Sequence, residues 1–414
     1  MVCRTEEQRS LPALDGMRVL DMTQFEAGPA CTQALAWLGA DVVKVEMPGR
    51  GDRARGVDRA RNEAYAPLFC AWNANKRSVA IDLRNDLGRA LFLRLVRKFD
   101  VLVENYGPGV MERLGVDDET LRAVNPGLIY ARIKGFGGRG PYAGFAVQQP
   151  IAQAAAGAFS INGEPQGPPM MPGSMGDSGA GVYAAVAVLA AWVQKLRTGR
   201  GQQIDLSMQE AMTFFVRGRG AIGSRWGARA TRRAGNAGDV PPGNLYPCKP
   251  FGPNDHVYLM PLTEKHWESL CAAMGRPELR VDLRFYSTRW RIQNHRALRE
   301  EISSWTRART KREAMETLGA AGVPCAACLD TEELLRDRHL TERGFIEELD
   351  LPVHGTVRVP GFAPRMSRSR VRVKRPPRLG EHTDELLGAE LALDDAQLDA
   401  LRDAGAIGGP PRFE

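Results

Sequence analysis

The strongest constraint on this chain is the regular alternation of short β-branched runs with helix-like stretches over residues 14–134. Val19-Leu20 stands between Gly16 and Asp21, and Asp41-Val42-Val43-Lys44-Val45-Glu46 forms a second run, so 14–23 and 41–46 read as strands. Between them, Pro29 suits the first turn of a helix, the apolar residues 30–38 give it a buried face, and Gly39 suits its C-terminal cap. The pattern recurs with strand 78–82, helix 86–98, strand 101–104 and strand 128–133. Alternation at this spacing predicts an α/β fold with a doubly wound parallel sheet. Ligands of such sheets sit beyond the carboxyl ends of the strands, which nominates the loops 23–29, 46–55, 104–108 and 134–141.

A chain of 414 residues exceeds one typical domain, so a second unit is expected. After a helix at 176–196 and a strand at 203–206, residues 217–243 turn rich in Arg and Gly. The domain reading is therefore a large domain over 1–216, a linker over 217–255 and a small α+β domain over 256–330. Residues 331–414 form a return linker and the C-terminal part of the large domain. The small domain takes a strand at 257–260 and helices near 266–274, 295–306 and 311–320, and β-like runs recur at 345–349 and 356–359.

Hydrophobic residues at 43% and charged residues at 25% are the balance of an ordinary globular protein. The net charge of +7 is spread among acidic residues without like-charge blocks, so nucleic acid is not the expected partner. A polyanionic small molecule would still gain from local Lys and Arg donors. Residues 1–12 lack the apolar core of a secretory signal, and the apolar stretch 181–193 is too short to span a bilayer, so a cytosolic protein with a buried helix there is expected. Seven cysteines, an odd number and widely spaced, are expected as reduced thiols, with Cys325-Ala326-Ala327-Cys328 read as ordinary packed cysteines. Six scattered histidines show no ligand spacing and no HExxH, phosphate-loop or GxSxG motif occurs, so no metal is expected. Gly135-Phe136-Gly137-Gly138-Arg139-Gly140 fits GxGxxG, but Pro141 follows at once and no helix pattern does, so it reads as a turn.

Asp177 lies in Met175-Gly176-Asp177-Ser178-Gly179-Ala180-Gly181, just ahead of the apolar helix. By pattern alone it is either a helix N-cap or a carboxylate that small neighbours leave open to a bulky ligand. Segments spread along the chain add to this: Leu14-Asp15-Gly16-Met17-Arg18-Val19-Leu20-Asp21, Ala27-Gly28-Pro29, residues 38–46, Asn75-Lys76-Arg77-Ser78, residues 100–108, Thr198-Gly199-Arg200-Gly201-Gln202 and Leu379-Gly380-Glu381-His382-Thr383. In that order they resemble the class III CoA-transferases, the formyl-CoA transferase or CaiB/BaiF family, from about residue 14 to 401.

The resemblance implies that Asp177 is the nucleophile and that coenzyme A or acyl-CoA is bound as substrate, with no permanently bound cofactor. It implies a CoA site at Gln24, Phe25, Glu26, Ala27, Lys76, Asn105, Tyr106, Arg113, Lys134 and Met208. It further implies a homodimer of two interlocked rings, each with a large domain built from both chain ends. Exchange of CoA between an acyl-CoA and a free carboxylic acid is the expected activity, with a small dicarboxylate as the expected acid. Two features depart from the family. Glu26 stands where oxalate-using relatives have glutamine, and residues 235–243 replace a glycine-run lid. An α-methylacyl-CoA racemase of the same fold is the alternative, but Phe145-Ala146-Val147-Gln148-Gln149 stands where racemases carry their histidine and aspartate. A non-catalytic CoA-binding subunit is the other alternative.

Overall fold

The structure, a computed structural model, describes residues 11–57, 65–164, 166–173, 175–224, 228–230, 232, 240–369 and 371–409. Twelve strands occur among them: β1 Arg18–Met22, β2 Asp41–Glu46, β3 Arg77–Ile81, β4 Val101–Glu104, β5 Ile129–Lys134, β6 Gln203–Ser207, β7 Asn244–Pro247, β8 His256–Leu259, β9 Cys325–Ala327, β10 Ile346–Leu351, β11 Gly355–Pro360 and β12 Ile407–Gly408. Seven of them make one sheet in the order β12-β3-β2-β1-β4-β5-β6. All its pairs are parallel except β12 with β3.

Side chains alternate across each strand, and both faces of this sheet are buried. Val19, Val42, Val101 and Ile129 enter one apolar cluster with helix α1 (Ala27–Trp37), while Leu20, Val43, Leu102 and Tyr130 enter another on the opposite face. That two-sided burial is why the strands read as unbroken apolar runs. The strand order reverses between β1 and β4, so the loops after these two strands diverge and open a crevice there.

The chain divides into two compact units, one of residues 1–158, 171–218 and 343–414 and one of 159–170 and 219–342. The first contains the large sheet, the β10–β11 hairpin and the edge strand β12. Its C-terminal part is latched to β3 by hydrogen bonds: the Ser78 N–H donates to His382 Nδ1 at 3.2 Å, and the Gly380 N–H donates to Ser78 Oγ at 2.9 Å. The second unit packs the antiparallel sheet β7-β8-β9 against helices Glu264–Ala273, His295–Thr306 and Lys311–Ala320 around Tyr246, Trp267, Leu270, Leu298 and Leu318. Part of the segment expected as linker is thus strand β7, paired with β8 from Asn244 to Pro247.

The long helix Gly176–Thr198, expected to be buried, is buried on one face only. Ala180, Gly181, Ala184, Ala185, Val188 and Ala191 are buried, while Val182, Tyr183, Val186, Val193 and Leu196 are exposed. By length and composition it is apolar enough to cross a membrane. Its small residues serve contact with α1: a Cβ on Gly181 would lie 2.3 Å from the Ala27 carbonyl oxygen. Glycine is required there because the two backbones touch. Gly181→Ala is expected to cost about 1–3 kcal/mol through overpacking, read as a lower Tm. An unchanged Tm would contradict the close approach.

Two smaller expectations are also settled by the strands around them. Gly135 to Gly140 forms a turn in which Gly137 and Gly140 have φ of 80° and 95°, and no helix follows before Gln149. Cys325 opens β9, the Cys328 N–H bonds to the His256 carbonyl, and burial raises both thiol pKa values, which keeps them protonated. No group of three or more metal-ligating side chains occurs among the described residues.

Candidate active site

A cavity of about 440 Å³ opens at the carboxyl ends of β1, β4 and β5. Its wall includes Gln24, Phe25, Glu26, Ala27, Asn105, Tyr106, Lys134, Met208 and Asp177, which brings together nine of the eleven residues nominated from sequence. The crevice is held by reciprocal bonds across the strand-order reversal. The Gln24 N–H donates to Asn105 Oδ1 at 2.8 Å, and Asn105 Nδ2 returns a bond to the Gln24 carbonyl at 2.9 Å. The Gln24 side chain also hydrogen-bonds the Tyr106 hydroxyl.

The next residue, Phe25, adopts φ of 63°, a left-handed conformation that costs a non-glycine residue about 1–3 kcal/mol. It is held there from below. The Phe25 N–H donates to Asp52 Oδ1 at 3.0 Å, Asp52 pairs with Lys44 at 2.9 Å, and Lys44 donates to the Thr23 carbonyl at 2.6 Å. Burial favours the neutral acid at Asp21, but Lys44 and Lys76 outweigh it and hold this carboxyl far below the usual range. These buried charges fix the loop that presents Glu26.

Lys76 belongs to that cluster and does not line the cavity. Its ammonium is fully buried and donates to Asp21 Oδ2 at 2.8 Å, Asn73 Oδ1 at 2.8 Å and the Pro29 carbonyl at 3.2 Å. All three donors are used, which leaves none for a phosphate. Arg113 also lies off the cavity wall; it is exposed, beside Gly109, and makes no ion pair among the described residues. Lys134 does face the cavity, but it is engaged with Glu104 at 2.7 Å and with the Tyr106 carbonyl at 2.7 Å. Burial raises the Glu104 pKa, and Lys134 opposes that rise.

Three cavity features were not singled out from sequence. Arg53 lies on the wall, exposed and without an ion pair among the described residues; its only sequence signal was a place in the loop 46–55. Gln149 accepts the Asp177 N–H at 3.0 Å through Oε1, and the Ser178 hydroxyl and N–H lie close enough to Glu26 to stabilise its charge. Neither contact is legible from spacing.

Asp177 is in the first turn of the long helix, where Met175 takes the N-cap position, so the capping role does not fall to Asp177. Burial first, and the Glu26 carboxylate second, push its pKa up to about 6. Glu26 is raised as well, chiefly by burial, with Ser178 opposing the rise. A carboxylate that is ionised at neutral pH yet poorly solvated, beside a cavity, has the character of a nucleophile. The lid segment falls largely on 233–239, outside the described residues.

Comparison with known proteins identifies the family. The family model CoA-transferase family III matches residues 14–383. A formyl-CoA:oxalate CoA-transferase of Rhodopseudomonas palustris is 37% identical over 97% of this chain and 98% of its own length. One from Streptomyces coelicolor is 37% identical over 95% and 99%. A CaiB/BaiF family protein from Brucella suis superposes with a TM-score of 0.80 at 30% identity, covering 91% of this chain and 99% of that one. The chain therefore belongs to CoA-transferase family III and is a class III CoA-transferase.

Proposed function

We propose that the enzyme passes CoA from an acyl-CoA to a small free carboxylic acid through covalent intermediates on Asp177. The observation that carries this reading is the Asp177 carboxylate, lifted to about 6 and set in the cavity at the strand-order reversal. An Asp177 oxygen attacks the thioester carbonyl, the C–S bond breaks, and an acyl-aspartyl anhydride and CoA thiolate result. The thiolate attacks the aspartyl carbonyl, which releases the donor acid and leaves an aspartyl-CoA thioester. The acceptor carboxylate reverses both steps, with no net proton or electron change. The partial burial of Asp177 limits the access of water to the anhydride. Gln24, Asn105, Tyr106 and Met208 supply the wall for the CoA chain, and Arg53 and Arg113, which make no ion pair among the described residues, are the cations for its phosphates.

Incubation with acetyl-CoA or formyl-CoA is expected to add a CoA-sized mass to Asp177, absent in Asp177→Ala. CoA binding without adduct or exchange would instead favour a non-catalytic binding subunit. The racemase alternative loses support because Gln148 and Gln149 line the cavity where a proton acceptor would be needed. Since CoA thioesters are cytosolic substrates, we place the reaction in the cytosol.

We also propose a homodimer, the interlocked one of the resemblance. Support comes from the uncovered apolar stripe of the long helix, with Val182 54%, Val186 56% and Leu196 68% exposed, next to the cluster Tyr183, Phe214 and Phe215. Light scattering at twice the chain mass of 45.4 kDa is expected. A single-chain mass at micromolar concentration would refute it.

A further inference from the structure

Glu26 is the N-cap residue of α1, yet its carboxylate makes no capping bond to that helix. It faces the first turn of the long helix, where the Ser178 hydroxyl and N–H lie close enough to stabilise its charge. Ser178 is the residue after the nucleophile, so two carboxylates from different helices face one cavity. Burial raises the Glu26 pKa and the two Ser178 donors oppose that rise; its negative charge still reaches Asp177, whose own pKa it lifts. The charged groups on the wall are Glu26, Arg53, Lys134 and Asp177. Lys134 already neutralises Glu104, and the surroundings of Asp177 are governed by burial and Glu26, with no cation contributing.

We propose that Glu26 determines the acceptor class, selecting monocarboxylates and rejecting acids that keep a second carboxylate near the reacting centre. This inference rests on the transferase reading above. When the acceptor enters, Asp177 is a neutral thioester, so Glu26 is the anion beside it. A monocarboxylate loses its charge as the anhydride forms. A dicarboxylate keeps one charge, held next to Glu26 in a poorly solvated space, and like charges there raise the barrier. This proposal departs from the dicarboxylate acceptor that the resemblance implies and from the oxalate in the relatives' names.

The test pairs acceptors of equal size that differ by one charge: oxalate with oxamate, and succinate with succinamate, each with formyl-CoA or acetyl-CoA as donor. Wild-type enzyme is expected to favour the amide acids by about tenfold or more in kcat/KM, and Glu26→Gln is expected to erase most of that preference. Equal use of oxalate and oxamate by the wild type overturns the proposal, as does a selectivity unchanged in Glu26→Gln. The wild-type ratio needs no variant, so a poorly folding Glu26→Gln leaves the first arm intact. A loss of packing alone would slow all four acids together. Failure of the transferase reading shows separately, as the absence of any CoA adduct on Asp177, and would remove this proposal with it.

Discussion

Replacing Asp177 with Asn is expected to lower CoA exchange by about 10⁴-fold or more, the scale on which loss of a covalent nucleophile registers. The same variant is expected to gain stability. Asp177 binds its proton more tightly in the folded chain, with a pKa of about 6 against 3.8 for the free side chain. Ionising it therefore costs stability, and the cost grows as pH rises from the unfolded value through about 6. At neutral pH an uncharged Asn avoids a penalty on the order of 1–3 kcal/mol. A variant that loses activity while its Tm rises is hard to produce by damage to the fold, so the pair of readouts separates a nucleophile from a structural residue. An Asp177→Asn protein with a lower Tm would contradict the raised pKa.

The same shift sets a pH profile. Below about 6 Asp177 is protonated and cannot attack, so kcat/KM for the acyl-CoA falls as pH falls through that value. Of the groups facing it, Glu26 comes from α1, Tyr106 and Lys134 from the β4 and β5 ends, and Arg53 from the loop after β2, yet only Glu26 adds to the effect of burial. Removing that charge in Glu26→Gln is expected to move the acid limb to lower pH. A limb that stays in place would mean the two carboxylates do not sense one another.

Much of the fold was legible because a doubly wound sheet writes itself as apolar runs. Val42 and Val43 face opposite cores and both must be apolar, so strand β2 stood out and matched residue for residue. Strand β1 was overextended because Gly16 and Met17 continue the apolar texture, although Met17 is buried ahead of the ladder. Loop positions followed from strand ends, which is why the Gln24 to Ala27 and Asn105 to Tyr106 clasps fell on the cavity. What the sequence could not show was pairing. Lys76 and Lys134 look alike in the sequence, and only the fold sets Lys76 on Asp21, 55 positions away. Likewise the segments 75–78 and 379–383, which carried much of the resemblance, form the latch on β3 and stand apart from the cavity wall.

That latch and the buried charges beside it lead to the second large effect, at Lys76. Lys76→Met keeps the side-chain volume but removes the cation nearest Asp21, leaving Lys44 at 3.8 Å as its only ion-pair partner among the described residues, with the bonds from Thr23 and Thr32 still in place. Asn73 Oδ1 and the Pro29 carbonyl lose their donor as well. Breaking a buried pair from one side costs about 3–5 kcal/mol, which corresponds to a Tm lower by roughly 5 °C or more. Because Lys44 also holds the Thr23 carbonyl and, through Asp52, the strained Phe25, the loop bearing Glu26 loosens, and the discrimination against dicarboxylate acceptors is expected to fall. A phosphate-binding Lys76 would give the opposite pattern: a steady Tm and a CoA affinity that falls with the lost charge. Thermal melting and CoA titration on one variant therefore distinguish the buried brace from the ligand that its sequence neighbours implied.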